Sequence, residues 1–495
     1  MKYISTRGGV DISVSSAMAI KQGLAFDGGL FMPDHIPSVD MSFIKELSQL
    51  SYAEKAAKLI SLFLDDYTYD EIFEDASEAY SSERFGSYAA PVKNLDDNIS
   101  ILELWHGPTC AFKDMALQLM PRLFSRAMKK CNENRKALIL VATSGDTGKA
   151  ALEGYKDVDG VCVKVFYPTD GVSMMQKLQM QTQVGKNLSV AAIKGNFDDA
   201  QSRVKDIFAD EECKRILNDE GYFLSSANSI NFGRLVPQIV YYFSAYGDMC
   251  NDGRITLGEK IDITVPSGNF GNIFAAFMAK KMGLPIDKLI CASNKNNVLT
   301  DFLQTGIYNQ NRPFYATSSP SMDILISSNL ERLLYTLFGS DRCKCLMNEL
   351  HDKGEYALSS DELNIINEHF IGYSATDDEV AECINRMYKE KECLIDTHTA
   401  VALVATEKYM LDYKAQKTVL VASTASPYKF AHEVIRSIFG ICTDAVSAPQ
   451  KLEELTNVKM PSPIADLPSK AIIHKDIIEK DDMWESTVNF IKLKD

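Results

Sequence analysis

The stretch Ala137-Leu138-Ile139-Leu140-Val141-Ala142-Thr143-Ser144-Gly145-Asp146-Thr147-Gly148 decides the fold class. Its first six residues are all apolar and too few for a buried helix, so they read as a strand covered on both faces. A polar turn follows, and then the Ala-rich start of a helix. The same design recurs. Apolar runs at 161–167, 188–193, 261–265, 289–292 and 417–421 predict strands, and several end in Gly/Ser loops that open into helical patterns. Repeated strand, loop and helix predict an α/β fold with open, mostly parallel sheets flanked by helices. Ligands of such sheets gather beyond the carboxyl ends of the strands.

Outward from this centre the chain divides into four segments. Residues 1–95 form an amino-terminal domain, opening with Thr6-Arg7-Gly8-Gly9 and Asp27-Gly28-Gly29-Leu30-Phe31 and helical over 41–82. Residues 96–328 form the α/β core in two lobes, with a helix expected over 199–217. Residues 329–395 read as a mainly helical insertion. Residues 396–495 return to the core and end in an extension, in which the proline-containing stretch 449–470 shows little regular pattern.

The 495 residues are 46% hydrophobic and 24% charged, a soluble globular composition. With 52 Lys and Arg against 67 Asp and Glu, the net charge of −15 disfavours nucleic acid or an anionic membrane as partner. An anionic small substrate remains compatible, because a few cations can set the field inside one pocket. Eleven scattered cysteines without metal-ligand spacing, and an amino terminus unlike a signal peptide, point to reduced thiols in the cytoplasm. His106, His398 and His432 lack paired spacing, so no metal is expected.

Four loops carry the chemistry. In His106-Gly107-Pro108-Thr109-Cys110-Ala111-Phe112-Lys113-Asp114, a lysine at a helix start would have a lowered pKa if desolvated, and its neutral amine could condense with an aldehyde. The plainer reading is an exposed helix-start pair. Ser144 and Thr147 in the second loop could bind an anion with the helix amides, or the loop is a plain helix cap with Asp146 or Ser144 as the capping residue. Gly268, Asn269, Phe270, Gly271 and Asn272 form a loop with room for inward-pointing amides; it lacks a P-loop lysine and the three-glycine dinucleotide pattern, and so suits a single phosphate or an ordinary turn. In residues 226–234, polar Asn228, Asn231 and Arg234 share a region with apolar neighbours; Arg234 could grip a phosphate or carboxylate with two bonds, or a helix begins near Asn231 with Arg234 as its surface charge.

Taken in order, these loops resemble those of the threonine synthases, members of the fold-type II pyridoxal-phosphate enzymes that also include tryptophan synthase β. The likeness extends to Tyr3–Gly9, Gly28–Phe31, Ser321-Met322-Asp323 and residues 422–430. It implies pyridoxal 5'-phosphate as cofactor and O-phospho-L-homoserine as substrate, in a monomer or homodimer. Lys113 would be the lysine that joins the cofactor and shuttles protons. Residues 268–272 would hold the cofactor phosphate, and Thr424 would meet the ring nitrogen, with Ser423 and Ser426 as alternatives. Ser144, Thr147, Asn228, Ser229 and Arg234 would bind the substrate. Where cysteine synthase-like relatives carry asparagine, this chain has Asp146. A carboxylate beside the cofactor's phenolic oxygen would be repelled, so the contact of Asp146 stays open. The nearest alternative is a lyase giving a 2-oxo acid, ammonia and phosphate from a related hydroxy-amino-acid phosphate.

Overall fold

A computed structural model describes residues 1–8, 13–170, 172–195, 197–415 and 417–493. Gly9 of the opening motif lies outside them. The stretch quoted first folds as expected: strand Lys136–Ala142 leads into helix Asp146–Gly154. It lies in a five-stranded sheet, flanked by Val161–Pro168 and Tyr222–Ser225; Leu188–Lys194 and Asp476–Glu479 lie beyond Val161–Pro168, and all pairings are parallel. Every residue of Val161–Pro168 is buried. That explains its continuous apolar run, since a central strand flanked by helices has no solvent face.

A second, six-stranded sheet runs in the order Phe370–Ser374, Ile286–Ser293, Ile261–Pro266, Val419–Ser423, Ile99–Glu103, Val92–Asn94. Only the last pairing is antiparallel. Helix Phe232–Asn251 is buried along most of its length and packs against helix Gly271–Met282 and the amino-terminal helix Tyr52–Ser61.

The amino-terminal helices start on strong local signals. Ser51 with Glu54, and Thr68 with Glu71, form reciprocal capping boxes at helices Tyr52–Ser61 and Tyr69–Ala79. Tyr3, on a short strand paired with Phe31–Pro33, donates its hydroxyl to the Phe63 carbonyl at 2.9 Å.

Three segments differ from the sequence expectation. The helix over 199–217 is two helices, Phe197–Ala209 and Glu211–Asp219, because the Asp210 carboxylate caps the second. The 329–395 segment also supplies strand Phe370–Ser374 to the edge of the main sheet, so it is woven into the core. The stretch 449–470 is partly helical: Pro449 and Pro463 stand in the first turns of helices Ala448–Thr456 and Ser462–Ala465, where a missing N–H costs nothing. Among the described residues no helix is long and apolar enough to cross a membrane.

Candidate active site

The lysine turn follows strand Ile99–Glu103. A Cβ at Gly107 would fall 2.5 Å from the Asp114 Cβ, so only glycine lets the turn close. Asp114 then ties it down, accepting from the Thr109 amide at 2.8 Å and the Thr109 hydroxyl at 2.7 Å. Burial pushes the Asp114 carboxyl up to about 6 despite these bonds. The Phe112 amide donates to the Thr424 carbonyl at 2.8 Å, joining the turn to the end of strand Val419–Ser423. Lys113 stands at the N-cap position of helix Asp114–Leu117 without a side-chain capping bond, and Pro121 stands in the first turn of the next helix, Met120–Lys130.

The Lys113 side chain is 12% exposed, with Nζ 3.5 Å from Asp146 Oδ2 and 4.7 Å from the Phe112 ring centre. Burial lowers its pKa to about 8, helped by Arg234 and Lys429 and opposed by Asp146. The plain reading of an exposed helix-start pair is therefore not what the fold contains.

Asp146 starts helix Asp146–Gly154 behind Gly145, whose φ of 133° and crowding by Gln176 exclude a side chain. Its carboxylate is fully engaged by protein. Lys429 Nζ lies 2.6 Å from Oδ1, Gln176 donates to Oδ1 at 2.9 Å, and Ser321 donates to Oδ2 at 3.0 Å. Burial alone would raise the Asp146 pKa, but Lys429 and Lys113 hold it well below the usual carboxylate range. Ser321 is held in turn: its amide donates to His398 Nε2 at 3.2 Å, while His398 Nδ1 faces Asp396 at 2.8 Å. An imidazole accepting at Nε2 carries its proton on Nδ1, so His398 acts as a structural link.

The loop 268–272 joins strand Ile261–Pro266 to helix Gly271–Met282, with Phe270 in the left-handed region at φ 59°. Ser327 donates to the Gly268 carbonyl at 2.7 Å, and Asn329 Nδ2 to the Asn269 carbonyl at 2.9 Å. The carbonyls are thus bound from behind, while among the described residues no protein acceptor takes the amides of 268–272. Asn272 Nδ2 is buried without a protein partner. Unpaired donors at a helix start form a ready anion cradle.

Asn228 and Ser229 precede helix Phe232–Asn251, whose cap is Asn231. The expected helix start near Asn231 is therefore present, but Arg234 is buried, 4% exposed, rather than a surface charge. Arg234 Nη1 donates to the Ala227 carbonyl at 3.0 Å, and Asn228 Oδ1 is buried without a partner. Arg332 holds this segment from behind, donating to the carbonyls of Ser229 at 2.9 Å and Ile230 at 2.6 Å.

Among the hydroxyls near 424, Ser423 accepts from Trp105 Nε1 at 3.0 Å and Thr399 at 2.9 Å, and Ser426 caps its own turn. Only Thr424 of the three lines the cavity. That cavity measures about 1230 Å³ and is also lined by Lys113, Ser144, Thr147, Asn228, Ser229, Arg234 and residues 268–272. Apart from Ser423 and Ser426, the candidate cofactor and substrate residues from the sequence thus line one space, at the carboxyl ends of strands from both sheets. Sequence reasoning missed Lys429, Gln176, Asn329 and Arg332, which act from the next layer out.

A family model described as threonine synthase N terminus matches residues 2–80, and one described as pyridoxal-phosphate dependent enzyme matches residues 87–424. Threonine synthase of Saccharomyces cerevisiae is 36% identical over 488 residues, with 92% of this chain and 93% of that protein covered. The chain belongs to the threonine synthase family. The crystal structure of PLP-bound threonine synthase from Brucella melitensis matches it with a TM-score of 0.86 and 34% identity, covering 99% of this chain and 100% of that one. Human threonine synthase-like 1 is 40% identical over 435 residues, or 85% of this chain; the chain spans only 57% of that relative's length. Membership of this fold-type II family fits the two open sheets and the amino-terminal extension described above.

Proposed function

We propose that this chain converts O-phospho-L-homoserine and water into L-threonine and phosphate, with pyridoxal 5'-phosphate as cofactor. The observation that carries the reading is a buried lysine with a lowered pKa sharing one cavity with an unpaired amide loop. The residues fit the cofactor. Loop 268–272 has free donors and Asn272 a spare one for its phosphate, and a Cβ at Gly268 would crowd the Met322 backbone at 3.3 Å. Thr424 offers a neutral hydroxyl for the ring nitrogen. When bound, the cofactor supplies an aldehyde for an amine and an electron sink for carbon-acid steps.

The chain's own residues do the rest. Lys113, once released as a free amine, takes the substrate α-proton and returns protons later in the cycle; positioned acid–base groups contribute about 10²–10⁴-fold. Arg234, Asn228 and Ser229 bind the substrate phosphate and receive the charge of the departing anion. Ser144 and Thr147, beside the amides of helix Asp146–Gly154, hold the substrate carboxylate. In this reading the protein is a cytoplasmic monomer or homodimer with an amino-terminal domain ending near residue 95 and no nucleic-acid or membrane partner.

The test is purified holoprotein with O-phospho-L-homoserine, assayed for threonine and phosphate together. Equal yields support the reading. A 2-oxo acid and ammonia in place of threonine would assign the chain to phosphate-eliminating lyases instead.

A further inference from the structure

Two lysines meet at Asp146, and only one of them reaches the cavity. Lys113 lines the space, while Lys429 lies behind Asp146 in the turn Pro427–Phe430, with a side chain that is 0% exposed. Lys429 is the nearer partner, 2.6 Å from Oδ1 against 3.5 Å for Lys113 from Oδ2. It is held there by a second acceptor, the Thr109 carbonyl at 3.1 Å, within the lysine turn itself. A buried ammonium with two fixed acceptors has no reason to leave them.

We propose that Lys429 is a positioning residue for Lys113: by occupying Asp146 from behind, it takes up the carboxylate charge that would otherwise hold Lys113 as an ammonium, and leaves the cavity-facing amine free to react. This inference rests on Lys113 being the lysine that meets the cofactor.

The charges around Lys113 come from three elements. Asp146 comes from helix Asp146–Gly154, Arg234 from helix Phe232–Asn251, and Lys429 from its turn. Asp114, the next residue, is committed to Thr109, and farther out Lys149 pairs with Glu153 at 2.9 Å. His398 on the cavity wall is committed to Asp396 and Ser321. Among the described residues the one anion in contact with Lys113 is Asp146, and Lys429 shares it. Removing Lys429 both frees the carboxylate and deletes a neighbouring positive charge, and both changes favour the protonated form of Lys113. The same pairing answers why an aspartate can stand at this position. Its charge is shared among Lys429, Gln176, Ser321 and, at the longer distance of 3.5 Å, Lys113.

The test uses the full-length chain stripped of cofactor, with pyridoxal 5'-phosphate as probe, across pH 6–10. The Lys113 nitrogen adds to the aldehyde carbon, water leaves, and borohydride delivers hydride to that carbon. Each event is read as one mass-shifted Lys113 peptide. In Lys429→Met the pH midpoint of trapping moves up by about one unit, so the rate at pH 7 falls about tenfold. Lys429→Arg keeps the parental midpoint. Asp146→Asn combined with Lys429→Met returns it to the parental value or below. Should the Met variant not fold, Lys429→Gln, which keeps a donor without the charge, carries the same expectation. Reduced trapping with an unmoved midpoint in the neutral variants would overturn the proposal and leave Lys429 a packing residue. Trapping of the parent at a lysine other than Lys113 would instead overturn the assignment of Lys113 itself.

Discussion

The hydroxyl of Tyr241 donates to Asn272 Oδ1 at 2.6 Å, and Tyr242 donates to the same oxygen at 2.5 Å. Two donors on one oxygen set the amide's orientation, so Nδ2 is the atom left without a protein partner. Replacing both tyrosines by phenylalanine frees the amide to turn and leaves its oxygen buried and unpaired. Affinity for pyridoxal 5'-phosphate should fall about tenfold, the loss of a hydrogen bond of roughly 1.4 kcal/mol. Titration of the cofactor-free protein by absorbance measures it; unchanged affinity would remove Asn272 from the cofactor's contacts.

Lys113→Met should abolish turnover and the visible band of bound cofactor, yet stabilise the cofactor-free chain. Burial lowers Lys113 from 10.5 to about 8. Between those values the unfolded chain still holds a proton that the folded chain has released, so stability rises with pH across that window. Below pH 8 the full penalty is present. The variant should therefore gain up to about 3 kcal/mol at pH 7, as a higher Tm, with the advantage shrinking from pH 8 to 10.5. A variant less stable than the parent at pH 7 would contradict the burial penalty.

Gly107→Ala drives a methyl group into Asp114. The turn must open, at a cost of about 1–3 kcal/mol, and the Thr109 bonds that fix Lys113 are lost with it. Thermal unfolding should show the destabilisation, and cofactor binding should weaken in parallel. A neutral substitution would mean that the turn has slack.

Thr424 and Ser423 separate by function. Thr424→Val keeps the shape and removes the hydroxyl that faces the cavity, so the absorption spectrum of bound cofactor and kcat should change while Tm holds within about 1 °C. Ser423→Ala leaves Trp105 Nε1 without its acceptor, while Thr399 keeps the Asp396 carboxylate, so Tm should fall by roughly 2–4 °C with the spectrum preserved. The reverse pattern would exchange their roles.

Much of this arrangement is legible in the sequence. Strands Lys136–Ala142, Val161–Pro168 and Ile261–Pro266 are buried on both faces, which forces the uninterrupted apolar runs that betray them. Their loops follow directly, so Ser144 and residues 268–272 could be placed at strand ends. Strand Phe370–Ser374 was hidden because an edge strand needs no such run, and Gly372 and Ser374 dilute its pattern. Lys429 and Arg332 escaped for a different reason. In sequence each is a charged residue near a helix, indistinguishable from a solvated one. Only the convergence of distant segments shows that Lys429 has no solvent to face and that Arg332 holds two carbonyls of another loop.

The Asp146–Lys429 pair also constrains how such a chain can drift. An asparagine at 146 would leave the buried Lys429 ammonium with only the Thr109 carbonyl, and a neutral residue at 429 would throw the buried Asp146 charge onto Lys113; either step alone breaks a buried ion pair, at a cost of several kcal/mol. The two positions should therefore change together among descendants of a common ancestor, and a lineage with asparagine at the first should be found to have dispensed with lysine at the second.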